Sequence, residues 1–278
     1  MNLELNNKLH GFVLEQIKDI EDAKGTLYMF RHEQTNAELC WLKRDDNNKT
    51  FAITFKTIPD NDTGVFHILE HSVLNGSKKY PVREPFVELL KSSLQTFLNA
   101  FTYPDKTMYP VSSRNNKDYM NLISVYMDAV FQPAIYTNPN IFLQEGWHYQ
   151  IHDVNEEMEY SGVVLNEMKG AFSSVDETIV DELNRMLFPD NCYKYVSGGD
   201  PRYITDLTYE QFIETHQKFY HPSNARIWVD GNLDIDEVLR FIHEEYFVNY
   251  QKEEMDFAIP MQKVLPAVHN RISYEVSE

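Results

Sequence analysis

The chain has 278 residues, 42% of them hydrophobic, which allows one large domain or two small ones around a sizeable core. Its 43 Asp and Glu against 25 Lys and Arg give a formal net charge of −18, which repels nucleic acid and anionic membrane surfaces. Solubility is the plain reading of that charge; attraction of basic peptides is the functional one.

Two cysteines, Cys40 and Cys192, lie far apart and outside any CxxC pattern. They exclude a disulfide framework and a thiolate metal site, and read as free thiols in a reducing cytosol. Met1 to His10 lacks the apolar stretch of a secretory signal. No run approaches the roughly 20 apolar residues of a membrane-spanning helix. A bacterial cytosol is the expected location.

The first sixty residues read as strands over 11–20, 26–33, 37–44 and 50–57, separated by polar turns such as Asp45-Asp46-Asn47-Asn48. This pattern predicts an antiparallel meander. A turn over 59–64 leads into a helix, with Thr63 or Asp62 as candidate N-cap. Val65, Ile68, Leu69, Val73 and Leu74 give that helix an apolar face. A helix over 84–92 follows, with Pro85 in its first turn.

Strands are expected at 96–103 and 107–113, joined at Pro104-Asp105-Lys106. Tyr119, Leu122, Ile123, Tyr126, Met127 and Val130 mark an amphipathic helix over 116–131. The second half reads as a helix over 139–152, a strand over 159–165 and a long helix over 166–187. A Gly/Pro loop (197–201), a helix over 208–220, a strand over 224–230 and a helix over 235–247 come next. Residues 1–250 are expected to form one unit, with 251–278 as a linker containing Pro260 and Pro266. Strands adjacent in sequence point to an α+β fold rather than a doubly wound one. Phosphate-binding loops rich in glycine are absent from the sequence.

His67-Ile68-Leu69-Glu70-His71 carries the chemistry. Residues i and i+4 stack on one helical face, so His67 and His71 can grip one metal ion, with Glu70 placed to act on a water beside it. The order His-x-x-Glu-His is the inverse of His-Glu-x-x-His and marks the inverzincins. Catalytic zinc takes three protein ligands and leaves one position open. A third ligand is best sought at the start of a second helix, and Gly162-Val163-Val164-Leu165-Asn166-Glu167-Met168-Lys169-Gly170 offers Glu167 in such a place. The expected chemistry is a metal-activated water, with Glu70 carrying its proton to the leaving amine.

With this second segment the chain resembles the insulinase/pitrilysin superfamily of inverted-zincin peptidases, and within it the presequence protease branch that includes falcilysin-like enzymes. His67 and His71 match the histidine ligands of zinc, Glu167 the carboxylate ligand and Glu70 the general base. Leu98 to Pro110 resembles the family's substrate-binding edge strand, where an extended peptide adds by backbone pairing; Asn99, Ala100 and Phe101 are the implied substrate contacts. Tyr195 to Asn224 resembles the branch too, notably Ser197-Gly198-Gly199-Asp200-Pro201 and Tyr220-His221-Pro222-Ser223-Asn224.

The resemblance implies an α+β fold with an antiparallel-rich sheet covered by helices, as in LuxS and mitochondrial processing peptidase. It also implies zinc-dependent endopeptidase action on short unstructured peptides. Family members are several times longer, built from four related units around a chamber. A C-terminal unit there supplies an Arg and a Tyr for substrate and oxyanion. By that comparison this chain is the first unit, with little or no activity alone.

Plainer readings stand beside these. Glu167 also suits a helix N-terminus. Glu159 can orient a ligand from behind, against the reading of an exposed acid. His148 and His152, with Glu145 nearby, imitate a second motif but lack an acid between them; packing beside Trp147 and Tyr149 is the preferred role. A non-catalytic scaffold of the same fold, or a hydrolase of small molecules, are the rival functions. The intact His67, Glu70, His71 and Glu167 argue against the first, and the edge strand argues against the second.

Overall fold

The computed structural model describes residues 3–83 and 85–273. Its strands are β1 (Lys8–Leu9), β2 (Phe12–Ile20), β3 (Gly25–His32), β4 (Glu38–Lys43), β5 (Lys49–Lys56), β6 (Gln95–Leu98), β7 (Phe101–Thr102), β8 (Lys106–Ser113), β9 (His148–Gln150), β10 (Glu159–Ser161) and β11 (Ala225–Asp230). Its helices are α1 (Val65–Val73), α2 (Pro85–Ser92), α3 (Asn116–Phe131), α4 (Asn140–Glu145), α5 (Val163–Ala171), α6 (Val175–Leu187), α7 (Tyr209–Phe219) and α8 (Ile235–Glu245). The fold is α+β, as expected. Glu84, the predicted first residue of α2, lies outside the described residues.

One nine-stranded sheet runs β1-β2-β3-β4-β11-β5-β8-β6, with β7 also paired to β8. Every pairing is antiparallel except that of β11 with β4. The expected meander therefore holds for β2, β3 and β4 only. The late strand β11 separates β4 from β5, with Ile227 opposite Leu39 on one side and Ile53 on the other.

Alternation in β11 shows how the sheet divides its faces. Ala225, Ile227 and Val229 are buried, while Arg226 and Trp228 are exposed. The buried face is covered by helices, with α3 lying on β5 and β8. The open face carries a chain of ion pairs across four strands: Glu15–Arg31 at 2.9 Å, Arg31–Glu38 at 3.0 Å and Glu38–Arg226 at 2.7 Å. Exposed pairs of this kind keep a sheet face soluble and add little stability.

Three expectations are corrected. The helix expected over 139–152 stops at Glu145, and Gly146 ends it. The chain then runs extended as β9, whose Tyr149 packs on Tyr160 of β10 at 5.0 Å. His148 and His152 thus never share a helix face, and His148 donates from Nδ1 to Leu143 O at 2.7 Å.

The strand expected over 159–165 ends at Ser161, and Val163 opens α5. A short Val-Val-Leu run reads as strand by composition, yet Val164, Leu165 and Met168 pack inward at helical spacing. The long helix expected next is broken at 172–174 into α5 and α6.

The segment 251–273 has no regular secondary structure but is tied down. Glu253 N donates to Ser223 Oγ at 3.0 Å, Phe257 stacks on Phe219 at 4.6 Å, and Asn191 Nδ2 donates to Pro260 O at 3.3 Å. It is a strap across the unit.

Candidate metal centre

Helix α1 is anchored by one face and carries the candidate site residues on the other. Val65, Phe66, Ile68, Leu69 and Val73 are buried. Burying each fully is worth about 1.5–3 kcal/mol, which fixes the helix against α4, α7 and β7. His67, Glu70 and His71 fall on the half-buried face.

Neither Thr63 nor Asp62 caps the helix. Thr63 Oγ1 donates to Asn61 Oδ1 at 2.6 Å, and Asp62 is held by Arg185 at 3.0 and 3.1 Å and by Val196 N at 2.8 Å. The N-cap is Gly64, at φ 67°. A Cβ there would sit 2.6 Å from both Gly198 O and Gly199 Cα. This contact brings the 197–201 loop onto α1, and Gly198 O accepts a hydrogen bond from His67 Nδ1 at 2.9 Å. A carbonyl oxygen only accepts, so in neutral His67 the proton is on Nδ1 and Nε2 is free to ligate.

Helix α5 brings in Glu167. Its start is fixed by another close approach: a Cβ on Gly162 would lie 2.1 Å from Gly146 O. Val164 and Leu165 are buried, while Glu167 sits at the flank of that face and is 54% exposed. Glu167 Oε2 stands 3.8 Å from His67 Nε2 and 3.8 Å from His71 Nε2. The three donor atoms lie within 4.8 Å of one another. Tetrahedral zinc with ligands at about 2.0–2.1 Å wants neighbouring donors roughly 3.3 Å apart, so modest rotations of the side chains, the two imidazoles included, would close the triad on an ion. Two imidazoles and a carboxylate match the His₂Glu donor set of catalytic zinc. The residues fit the ion.

Behind His71 stands Glu145, which sequence reasoning set aside. It is 5% exposed at the end of α4, and its Oε2 accepts from His71 Nδ1 at 3.3 Å. Burial alone lowers the His71 pKa, but the hydrogen bond to Glu145 and the charges of Glu70, Glu145 and Glu167 outweigh it and raise it. Burial likewise works to raise Glu145, yet hydrogen bonds from His71, Gln144 and Asn75 hold it below its ordinary value. Glu159, the other candidate for this task, is exposed on β10 opposite Gln150. The overlooked signal was an acid four residues after Ile141 and three after Phe142, on the buried stripe of α4.

Glu70 and His71 line a cavity of about 440 Å³ with Leu74, Phe86, Asn99 and Ala100. Buried Tyr109, Tyr126 and Tyr220 lie close enough to feel the Glu70 charge, which adds to burial in keeping their phenols neutral.

The edge strand expected over 96–103 is broken: β6 and β7 each pair with β8 on one side, and Asn99-Ala100 forms the gap between them. Tyr126 holds that gap by donating to Asn99 O at 3.2 Å. Phe97, Phe101 and Tyr103 form an aromatic row along the edge, with ring centroids 6.4 and 6.0 Å apart. A larger cavity, about 850 Å³, opens among Asp60, Tyr203, Glu214 and Asp256; none of the three metal-ligand candidates lines it.

Cys40 and Cys192 are unpaired, and burial raises both thiols. Among the described residues no helix is long and apolar enough to cross a membrane.

Known proteins resemble this chain. Protein HypA of Clostridium perfringens is 51% identical over the whole of this chain, which spans 29% of that protein. Presequence protease 1 of Arabidopsis thaliana, chloroplastic/mitochondrial, is 50% identical over 84% of this chain and 22% of its own length. The crystal structure of pitrilysin superposes with a TM-score of 0.68 at 17% identity, over 91% of this chain and 26% of that one, and so shares the fold. The chain thus spans about a quarter of the length of the curated relatives it matches. The profile described as insulinase, peptidase family M16, covers residues 58–173, and that of the M16 inactive domain covers 206–277. With the first profile enclosing His67, His71 and Glu167, and the two together covering most of the sequence, the chain belongs to the insulinase family of peptidases, M16.

Proposed function

We propose that this chain is the zinc-holding catalytic unit of an endopeptidase acting on short unstructured peptides, with His67, His71 and Glu167 as ligands and Glu70 as general base. The observation that carries the reading is the convergence of Glu167 on both histidines at 3.8 Å beside an open strand edge. When bound there, zinc supplies a Lewis acid that makes a water acidic near neutral pH and polarises a carbonyl.

The chain's own residues supply the rest. Glu70 takes a proton from the attacking water and returns it to the departing amine. The unpaired side of β6 and β7 offers N–H and C=O groups to an extended peptide, placing its backbone beside Asn99, Ala100 and Phe101. Backbone pairing tolerates many sequences, which suits a scavenger of peptides.

In this reading residues 1–250 form the catalytic unit and 251–278 lead toward further units, which complete the site with an Arg and a Tyr. The quarter-length match to its relatives supports this. The free thiols and the likeness to a clostridial protein support a bacterial cytosol.

Metal analysis is the first test: one zinc per chain, lost on His67→Ala or Glu167→Ala, is expected. In a chain of its relatives' length, Glu70→Gln should keep the zinc and lose peptide cleavage. Cleavage surviving that change would remove Glu70 from the mechanism, and a chain that binds no zinc would favour the scaffold reading.

A further inference from the structure

We infer that Glu145 is the positioning residue of the metal centre, fixing His71 in the one tautomer and ring orientation that turn its free nitrogen toward Glu167. The two histidines are held differently. His67 donates to a main-chain carbonyl, Gly198 O. His71 donates to a carboxylate that is almost wholly buried. A buried carboxylate is costly unless its oxygens are satisfied.

Here the two oxygens have separate duties. Oε1 accepts from Asn75 Nδ2 and from Gln144 Nε2, both at 2.9 Å. Oε2 is thereby left to face His71 Nδ1. Asn75 also donates to His71 O at 3.2 Å, so one amide ties the end of α1 to the acid at the end of α4. The carboxylate cannot swing away without breaking both amide contacts, and the imidazole cannot flip without turning its Cδ2 carbon, which donates no such hydrogen bond, toward Oε2. Partners of this type make a ligand histidine a better donor, and losing one typically weakens metal binding about 10–100-fold.

The consequence for metal affinity rests on the zinc reading above; the orientation of His71 does not, because it follows from the contacts of Glu145 and Asn75 alone. The experiment therefore has two arms, both on the 278-residue protein. In the first, NMR of the chain labelled with ¹⁵N-histidine reads the His71 tautomer without metal. We expect a single Nδ1–H form in the parent and a mixture in Glu145→Gln and Glu145→Leu.

In the second arm, competition with a chromophoric chelator gives zinc affinity, and cobalt substitution gives a visible spectrum. Glu145→Leu should bind zinc about 10–100-fold more weakly. Glu145→Gln, which keeps shape and an acceptor, should fall between it and the parent with a shifted cobalt band. Thermal unfolding of the metal-free Glu145→Gln protein guards against misfolding.

An unchanged His71 tautomer in both variants overturns the inference. So does zinc affinity within twofold of the parent in both. A parent that binds no zinc overturns the peptidase reading instead, and the tautomer arm still decides the role of Glu145.

Discussion

Replacing Gly64 with alanine tests whether the metal centre depends on a backbone contact. Gly64 sits at φ 67°, where a residue with a Cβ loses about 1–2 kcal/mol. The new methyl would also stand 2.6 Å from Gly198 O and Gly199 Cα, both backbone atoms that cannot rotate away. Overpacking of this sort costs about 1–3 kcal/mol. Loss of freedom in the unfolded chain returns about 0.4–1 kcal/mol. The net expectation is a destabilisation of about 2–4 kcal/mol, or very roughly 5–15 °C in Tm for a domain of this size.

Urea unfolding followed by fluorescence of Trp41, Trp147 and Trp228 measures it. Gly170→Ala is the control: nothing lies within 4 Å of a Cβ at that helical position, so alanine should stabilise by about 0.5–1 kcal/mol. Zinc affinity of Gly64→Ala should fall as well, because the displaced loop carries the His67 acceptor, Gly198 O. A Gly64→Ala protein within about 0.5 kcal/mol of the parent would refute the argument, since that is the scatter of ordinary surface changes.

Acid should loosen the fold before the carboxylates titrate. Burial holds His216 near a pKa of about 4 against 6.5 unfolded, its Nε2 donating to Val130 O. The unfolded chain therefore binds the extra proton between these values, and stability is full above pH 6.5 and lost as pH falls toward 4, by about 3 kcal/mol at one pKa unit per 1.36 kcal/mol. Urea midpoints from pH 7.5 to 4 check this, and His216→Asn should flatten the profile. Tyr126→Phe removes the donor to Asn99 O and should cost about 1–2 kcal/mol while speeding amide exchange at Asn99 and Ala100; unchanged exchange would show that the gap holds itself. Zinc at a hundred times its Kd should stabilise the chain by about 2.7 kcal/mol, reversed by chelator, and a Tm indifferent to zinc would count against a preformed site. The isolated chain is expected to hydrolyse peptides negligibly, a point that robust turnover in a fluorogenic assay would contradict.

The parts legible in the sequence were those fixed by local spacing. His67 and His71 are one helical turn apart wherever that helix lies, and the spacing of Tyr119, Leu122, Ile123 and Tyr126 marks α3 at its observed bounds. What escaped depends on distant partners. Glu145 acquires its role only because α4 meets α1, and its spacing to His148 pointed elsewhere. Asn99-Ala100 breaks the edge strand opposite Pro110, which has no N–H to offer Asn99 O, and a tyrosine from α3 donates there instead. The Val163–Leu165 run looks the same buried in a strand or a helix, and the contact of Gly162 with Gly146 decides. Glu167 was singled out from the start of a second helix and from the resemblance, and the fold brings its carboxylate to 3.8 Å from both histidines.

The insertion of β11 between β4 and β5 has a consequence for biosynthesis. Its partners are made near the start of the chain, and β11 itself emerges near residue 230. Until then β4 and β5 each present an unpaired edge, a template for pairing with other chains. The sheet is also unfinished, although His67 and His71 left the ribosome long before. Such distant pairing closes slowly. During translation the nascent protein thus carries its histidine motif before its sheet is closed, and the last strand of the described residues to arrive is the one that joins β4 to β5.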